Sequence, residues 1–456
     1  MQGVSDTIAA HVAGTRFADL PASTVAAARI VLLDAVGVML GASGLSDEAR
    51  AFVRVATAAG PGPCAILGTG LSASAPMAAL ANGAFAHALD YEDAFDAAPG
   101  HPNASLVPAL IALAQAEGAQ GRPVSGQRFL TALAVGGDVA CRMGLALRRP
   151  MEAGGWYPPP ILAGMGAAAG AASLLGLPAA QVRDALSLML CQNVMPGEIK
   201  HSPGTVIRAV REGFPAQAAV LSALLAREGV AGFEQPIEGR SGFYALYAGG
   251  QYDADALAGD LGRTYWIEQL TFKRWPSCRG THPFTEMALE LTRGIDPARI
   301  AAIEVGIDDV QRMLTEPAGR KAAPQTAIDA KFSIPFTTAL ACARGRVGLE
   351  DFDAPSLADP VVLALAAKVH AVPEDGQGWQ RGSGGRMAIT LSDGQVLRAQ
   401  QADALGCPAR PLGEAALVAK FVDCAGRAAV PAGDPVALAR AILNIAQRDD
   451  VAQLFS

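Results

Sequence analysis

The chain has 456 residues, of which 51% are apolar and 17% charged, with a formal net charge of −7 and a pI near 5.5. That length exceeds what one compact core organises, so two domains are expected, and the apolar content excludes a disordered chain. The acidic balance, with no long Lys/Arg cluster, excludes a nucleic-acid binder, which needs a basic surface.

The N-terminus, Met-Gln-Gly-Val-Ser-Asp, lacks a basic region followed by an apolar core, so no secretory signal is expected. Residues 1–265 then read as helices. Segments 23–40, 106–117, 129–147, 161–175, 179–193 and 206–228 carry apolar clusters between Gly/Pro breaks. The abundance of Ala and Gly implies close helix-to-helix approach. Gly154 to Gln181 carries no charge and is long enough to span a bilayer. Prolines at both ends and small residues in its middle point instead to a tightly packed core helix, so no membrane partner is expected.

Near Tyr265 the texture changes. Residues 303–308 alternate as a strand does. Arg386–Leu391 and Gln395–Gln400 read as a hairpin closed by Ser392-Asp-Gly. Helical runs at 284–294 and 334–343 lie between them. Residues 266–402 are thus expected to form a smaller α+β domain. The tail, with helices at 414–424 and 435–447, should return to the first domain, giving a mainly α protein with an all-helical domain over 1–265 and 403–456. The seven cysteines (Cys64, Cys141, Cys191, Cys278, Cys342, Cys407, Cys424) are scattered and form no Cys-x-x-Cys pair. That fits reduced thiols in a cytoplasmic protein and speaks against structural zinc.

Chemistry concentrates in residues 82–108. His87 and His101 flank Asp90, Glu92, Asp93 and Asp96, between an apolar helical run (77–89) and a new helix expected to start near Ser105, an N-cap type residue. The plain alternative is a solvated acidic loop. A second cluster, Lys273 to His282, holds Lys273, Arg274, Cys278, Arg279 and His282. Its cations suit a ligand with several carboxylates, and its plain alternative is a basic loop at a domain junction. A third, Lys200-His-Ser-Pro with Arg208 and Arg211, opens a long helical run whose N-terminal field adds to its charge. Tyr157, ahead of three prolines, could bring a phenol to a pocket or simply pack at a helix cap. No Gly-x-Gly-x-x-Gly opens a helix after a strand, and there is no Walker A sequence or Gly-x-Ser-x-Gly elbow, so nucleotide cofactors are unsupported. His87, Asp90 and His101 lack the spacing of a metal set.

An acid–histidine pair with a cationic cradle suits one reaction well. A proton α to a carboxylate is removed, and Lys and Arg hold the developing enolate charge. Asp90 would orient the imidazole of His101. Thiolate catalysis by Cys278, among basic neighbours, is the competing reading.

Asn82-Gly…His87-Ala-Leu-Asp-Tyr-Glu-Asp, followed by His101-Pro-Asn…Val107-Pro-Ala, resembles the signature of the MmgE/PrpD family of dehydratases, decarboxylases and epimerases. Phe272-Lys-Arg-Trp-Pro-Ser-Cys…Thr281-His resembles its second signature and Ala330-Lys-Phe-Ser-Ile334 a third. The resemblance runs through most of the chain. It implies a helical domain joined to a smaller α+β lid, a homodimer, no metal and no organic cofactor. It places Asp90, His101 and Lys273 in the active site. Three positions depart from the pattern: Ala94 replaces a common threonine, Tyr157 a histidine found in several members, and Arg208 a lysine. Arginine keeps the charge but cannot donate a proton at neutral pH. These changes argue against transferring any one member's activity.

The expectation is a cofactor-independent lyase for a small di- or tricarboxylic acid. Asp90, His101, Lys273 and Tyr157 would be catalytic, with Arg208, Lys200, Arg279, Cys278 and His282 binding substrate. An epimerase using the same enolate and a non-catalytic metabolite-binding protein are the alternatives. The loops 315–326 and 373–385 carry no readable specificity code.

Overall fold

A computed structural model describes residues 3–202, 204–374 and 382–455, so residues 375–381 of the second of those loops lie outside the described residues. The chain is mainly α with two small sheets. It divides into two compact units, one of residues 1–88, 98–270 and 413–456, the other of residues 89–97 and 271–412. The chain therefore passes between the units four times. The short acidic segment 89–97 belongs to the second unit, which composition alone did not indicate.

The first unit runs α1 (Val4–Gly14), α2 (Ala22–Leu45), α3 (Arg50–Ala58), α4 (Ala75–Ala88), α5 (Pro102–Ala119), α6 (Gly126–Leu145), α7 (Pro158–Leu175), α8 (Ala179–Leu190), α9 (Ile207–Val210) and α10 (Gly213–Arg227). The short helices Phe243–Ala248 and Ala254–Ala258 follow, and helices Glu414–Ala425 and Pro435–Leu443 come from its C-terminal segment. It is not all-helical: β1 (Cys64–Ile66) and β2 (Leu71–Ala73) pair antiparallel. Strands of three residues around Gly68 and Gly70, both at positive φ, are too short to show alternation.

α7 packs against α5, α6, α8 and α10, and all but one of its residues from Pro158 to Leu174 is buried. The Ala/Gly composition has a direct cause here. A Cβ on Gly166 would lie 2.4 Å from the carbonyl oxygen of Gly136 on α6. Backbone meets backbone, and only glycine fits. α2 and α7 are long and apolar enough to cross a membrane, and most of each is buried in this unit. α2 also carries a buried acid, Asp34, whose carboxylate meets Lys420 of helix Glu414–Ala425 at 2.6 Å.

In the second unit, β3 (Ile300–Ile307), β4 (Val369–Pro373), β5 (Gly385–Leu391) and β6 (Val396–Gln401) form a sheet in the order β4-β3-β5-β6. β3 and β4 are parallel, and the other neighbours antiparallel. Along β5 every second residue is buried, as the sequence pattern required. The Ser392-Asp-Gly turn closes it, with Gly394 at φ +87°. Helix His282–Leu291 covers the sheet and helix Ile334–Arg344 covers that helix. β4 escaped the sequence reading because its residues are only partly buried and do not alternate.

Glu117 ties the last turn of α5 to α10. It accepts bonds from Arg122 at 2.7 and 2.8 Å and from Arg227 at 2.7 Å. The Arg122 hydrogen bonds, opposed by burial and joined by Arg227, hold its carboxyl at about 2, below the ordinary 4.5. A depressed carboxyl adds stability above its unfolded value and loses it as pH falls through the folded one. Glu117→Gln should therefore be less stable than the native protein in urea above about pH 4.5, with the gap closing as pH falls toward 2. A gap that does not change with pH would contradict this.

Candidate active site

The first unit holds a continuous polar array. α4 and α10 cross in backbone contact, since a Cβ on Gly213 would lie 2.5 Å from Leu80 O and one on Gly83 2.8 Å from Glu212 O. His87 lies one turn beyond Gly83, and Arg211 two residues before Gly213. Their side chains meet: Arg211 Nη1 hydrogen-bonds His87 Nε2 and also donates to Arg208 O at 2.6 Å. A guanidinium only donates, so His87 Nε2 accepts and the ring proton is assigned to Nδ1. His101 immediately precedes α5, and its ring centroid lies 5.1 Å from that of His87.

α5 starts at Pro102, not near Ser105 as expected. Proline at the first helical position supplies the right φ and lacks a donor that would go unused. Ser105 is buried, and its hydroxyl donates to Glu212 Oε2 at 2.6 Å, while Glu212 Oε1 meets Arg211 Nε at 3.1 Å. The expected helix 206–228 is broken at Arg211-Glu212 into α9 and α10. Lys200 ends a separate short helical turn, Gly197–Lys200, and so does not open the long helix.

Tyr157 sits at the N-cap of α7, 5% exposed. Three cations surround its ring, with Arg211 Cζ at 5.1 Å, Lys200 Nζ at 5.3 Å and Arg208 Cζ at 5.7 Å from the centroid. An aromatic face attracts cations and lets them gather without a carboxylate for each. The array thus runs unbroken from His101 through His87 and Arg211 to Tyr157, Arg208 and Lys200.

The second unit holds another set. Lys273, fully buried, donates to Asp90 Oδ1 at 2.6 Å and Asp90 O at 2.9 Å, and its Nζ lies 3.7 Å from Glu92 Oε1. Burial is the largest influence on this ammonium and works against the charge, but Asp90 and Glu92 outweigh it and its pKa is raised. Lys273 therefore stays protonated throughout the neutral range. Among the described residues Asp90 is the only non-glycine at positive φ, +49°. A left-handed residue costs about 1–2 kcal/mol, within the reach of hydrogen bonds from a charged donor, worth about 1.5–3 kcal/mol each.

The turn is sewn to the second cluster elsewhere too. Ala94 and Thr271 exchange backbone hydrogen bonds of 2.9 and 2.8 Å, and Tyr91 Oη donates to Arg274 O at 3.0 Å. Arg279 is turned to Asp96, at 3.2 Å, and to the carbonyls of Ala404 and Leu405. His282 Nε2 faces Ser277 O at 3.2 Å, and its ring packs edge-on to Trp275. Cys278 donates its N–H to Lys331 O at 2.9 Å. These contacts give Arg279, His282 and Cys278 a part in holding the loop together. Asp90 belongs to the second unit and His101 to the first.

The sequence pattern assigns no role to His87 or Arg211, which the structure brings into contact. The signal available for both was polarity inside an apolar run.

Profiles of the MmgE/PrpD N-terminal and C-terminal domains match residues 6–255 and 275–436. The chain belongs to the MmgE/PrpD family. It is 27% identical over 398 residues to a cis-aconitate decarboxylase-like protein of Aspergillus oryzae, covering 83% of this chain and 82% of that one. It is 26% identical over 358 residues to the cis-aconitate decarboxylase of Homo sapiens, covering 75% and 71%. With that of Aspergillus terreus it shares 24% over 302 residues, covering 65% of this chain and 61% of the relative.

Removing the ammonium opposite Asp90 and Glu92 would leave two carboxylates buried together. Loss of one partner of a buried pair typically costs about 3–5 kcal/mol. Lys273→Met should lose that much in urea unfolding at pH 7, and lowering the pH, which protonates the stranded acids, should recover part of it. A loss below about 1 kcal/mol, the range of exposed pairs, would show that the pair is not desolvated.

Proposed function

We propose that the protein is a cofactor-independent lyase acting on a small di- or tricarboxylic acid. The supporting observation is the first unit's array, in which three cations around Tyr157 are joined through Arg211 and His87 to His101. Carboxylate recognition and a proton-transfer group are thereby in contact. Lys200, Arg208 and Arg211 hold carboxylates, and the number of cations favours a ligand with more than one. In an elimination, the α-proton passes to His101 and the departing hydroxyl takes a proton from Tyr157. In a decarboxylation, the carbon–carbon bond to a carboxylate breaks, carbon dioxide leaves, and His101 protonates the carbanion. The named activity of the relatives puts decarboxylation of cis-aconitate first among the reactions to try.

The homodimer belongs to this proposal as well. Phe52 of α3 and Phe214 of α10 meet edge-on at 5.6 Å, and Phe214 and Val55 are 46% and 58% exposed. An apolar strip of this kind suits a second copy.

Proton NMR in D₂O on di- and tricarboxylic acids, cis-aconitate included, tests the reading. Consumption of one acid with new vinyl signals is expected, and His101→Ala should slow it by roughly two to four orders of magnitude. Solvent deuterium entering the α position without net loss of substrate would make the protein an epimerase. Ligands that raise the melting temperature but are never transformed would make it a binding protein.

A further inference from the structure

The motif Ala330-Lys-Phe-Ser-Ile334 has no part in the chemistry above. Lys331 closes the short helix Ala327–Lys331 and is 4% exposed. A buried ammonium must be compensated, and the second unit gives it specific surroundings. Its Nζ donates to the carbonyl of Leu89 at 2.9 Å and stands 5.5 Å from the centre of the Phe352 ring. Its own carbonyl accepts the N–H of Cys278, in the loop that carries Lys273. One residue therefore touches the acidic turn with its side chain and the basic loop with its backbone.

The choice of carbonyls is informative. The Leu89 carbonyl belongs to the peptide on one side of the Asp90 Cα, and the Asp90 carbonyl to the peptide on the other. Lys331 holds the first and Lys273 the second, at 2.9 Å each. Fixing both flanking peptide planes fixes φ and ψ of the residue between them. Asp90 is the residue that departs from ordinary backbone, with φ +49°, and strained conformations persist only where their surroundings over-determine them.

We infer that Lys331 is the positioning residue of Asp90: its ammonium fixes the left-handed turn that presents the Asp90 carboxylate to Lys273. The geometric claim stands on the second unit alone, and its effect on turnover rests on the proposed lyase activity.

Crystal structures of Lys331→Met and Lys321→Met test it. Lys321 is the matched control, a buried lysine whose Nζ donates to Phe332 O at 2.7 Å. In Lys331→Met, Asp90 is expected to return to negative φ with its carboxylate withdrawn from Lys273, and in Lys321→Met to stay as it is. On the acid that the native protein turns over, Lys331→Met should lower kcat roughly a hundredfold, the scale of an ångström's misplacement, with KM little changed. An undisturbed Asp90 in Lys331→Met, or the same displacement in both variants, overturns the proposal. If no acid is turned over, the crystallographic comparison still decides. Should Lys331→Met fail to fold, Asp90→Gly supplies the second arm, because glycine takes positive φ without strain. Asp90→Gly/Lys331→Met should then fold wherever Asp90→Gly alone folds, with a Tm close to that of Asp90→Gly alone. A double variant that fails where Asp90→Gly alone folds, or whose Tm falls well below that of Asp90→Gly, overturns the proposal.

Discussion

A single ammonium, that of Lys273, holds two carboxylates in a place that water does not reach. An isolated charge there would cost far more than any one contact returns, so the three groups exist together or not at all. The consequence spreads along the backbone. Asp90 must leave ordinary φ/ψ space, and the segments 89–97 and 271–279 must lie side by side so that Ala94 can pair with Thr271 and Asp96 with Arg279. Most of the polar residues in the second signature serve this assembly. An ion pair of this kind is weak evidence for net stability, and its persistence is better understood as a device for holding charge in a chosen place.

The first unit solves a different problem with different means. Its cations are close together, and carboxylates offset some of the charge, with Glu212 at 3.1 Å from Arg211 and Glu152 at 3.6 Å from Lys200. An aromatic face and a chain of directed hydrogen bonds do part of that work. What allows the arrangement is the absence of side chains elsewhere. The glycine-to-backbone contacts of α4 with α10 and of α6 with α7 bring helices closer than aliphatic layers permit, and so bring His87 to Arg211. The alanine and glycine that make the sequence look featureless are the reason its few polar residues can meet.

Much of this was legible beforehand because periodicity and motif agreed. The long helices and the β5–β6 hairpin with its turn follow from local patterns. What was not legible depends on partners distant in sequence. Ser105 is a good capping residue by type, yet its hydroxyl is claimed by Glu212 and the helix begins at Pro102. Arg279 and His282 have the chemistry of binding residues, and their contacts with Asp96, Ala404, Leu405 and Ser277 depend on tertiary placement. Arg211 stood beside Arg208 in sequence with nothing to rank it higher, and only tertiary contact with His87 does so. The passage of residues 89–97 into the second unit has no compositional mark.

The ion pair of Asp34 with Lys420 has a consequence for the order of events during synthesis. Translation delivers α2, with its buried acid and its apolar faces, hundreds of residues before the helix that covers it. Until residues 413–455 are made, the face of α2 that they cover stays open to water, Asp34 lacks its counter-charge, and the first unit is missing part of its wall. The second unit, whose residues all precede 413, draws nothing from that segment. The first unit therefore cannot complete its packing until its C-terminal segment is made.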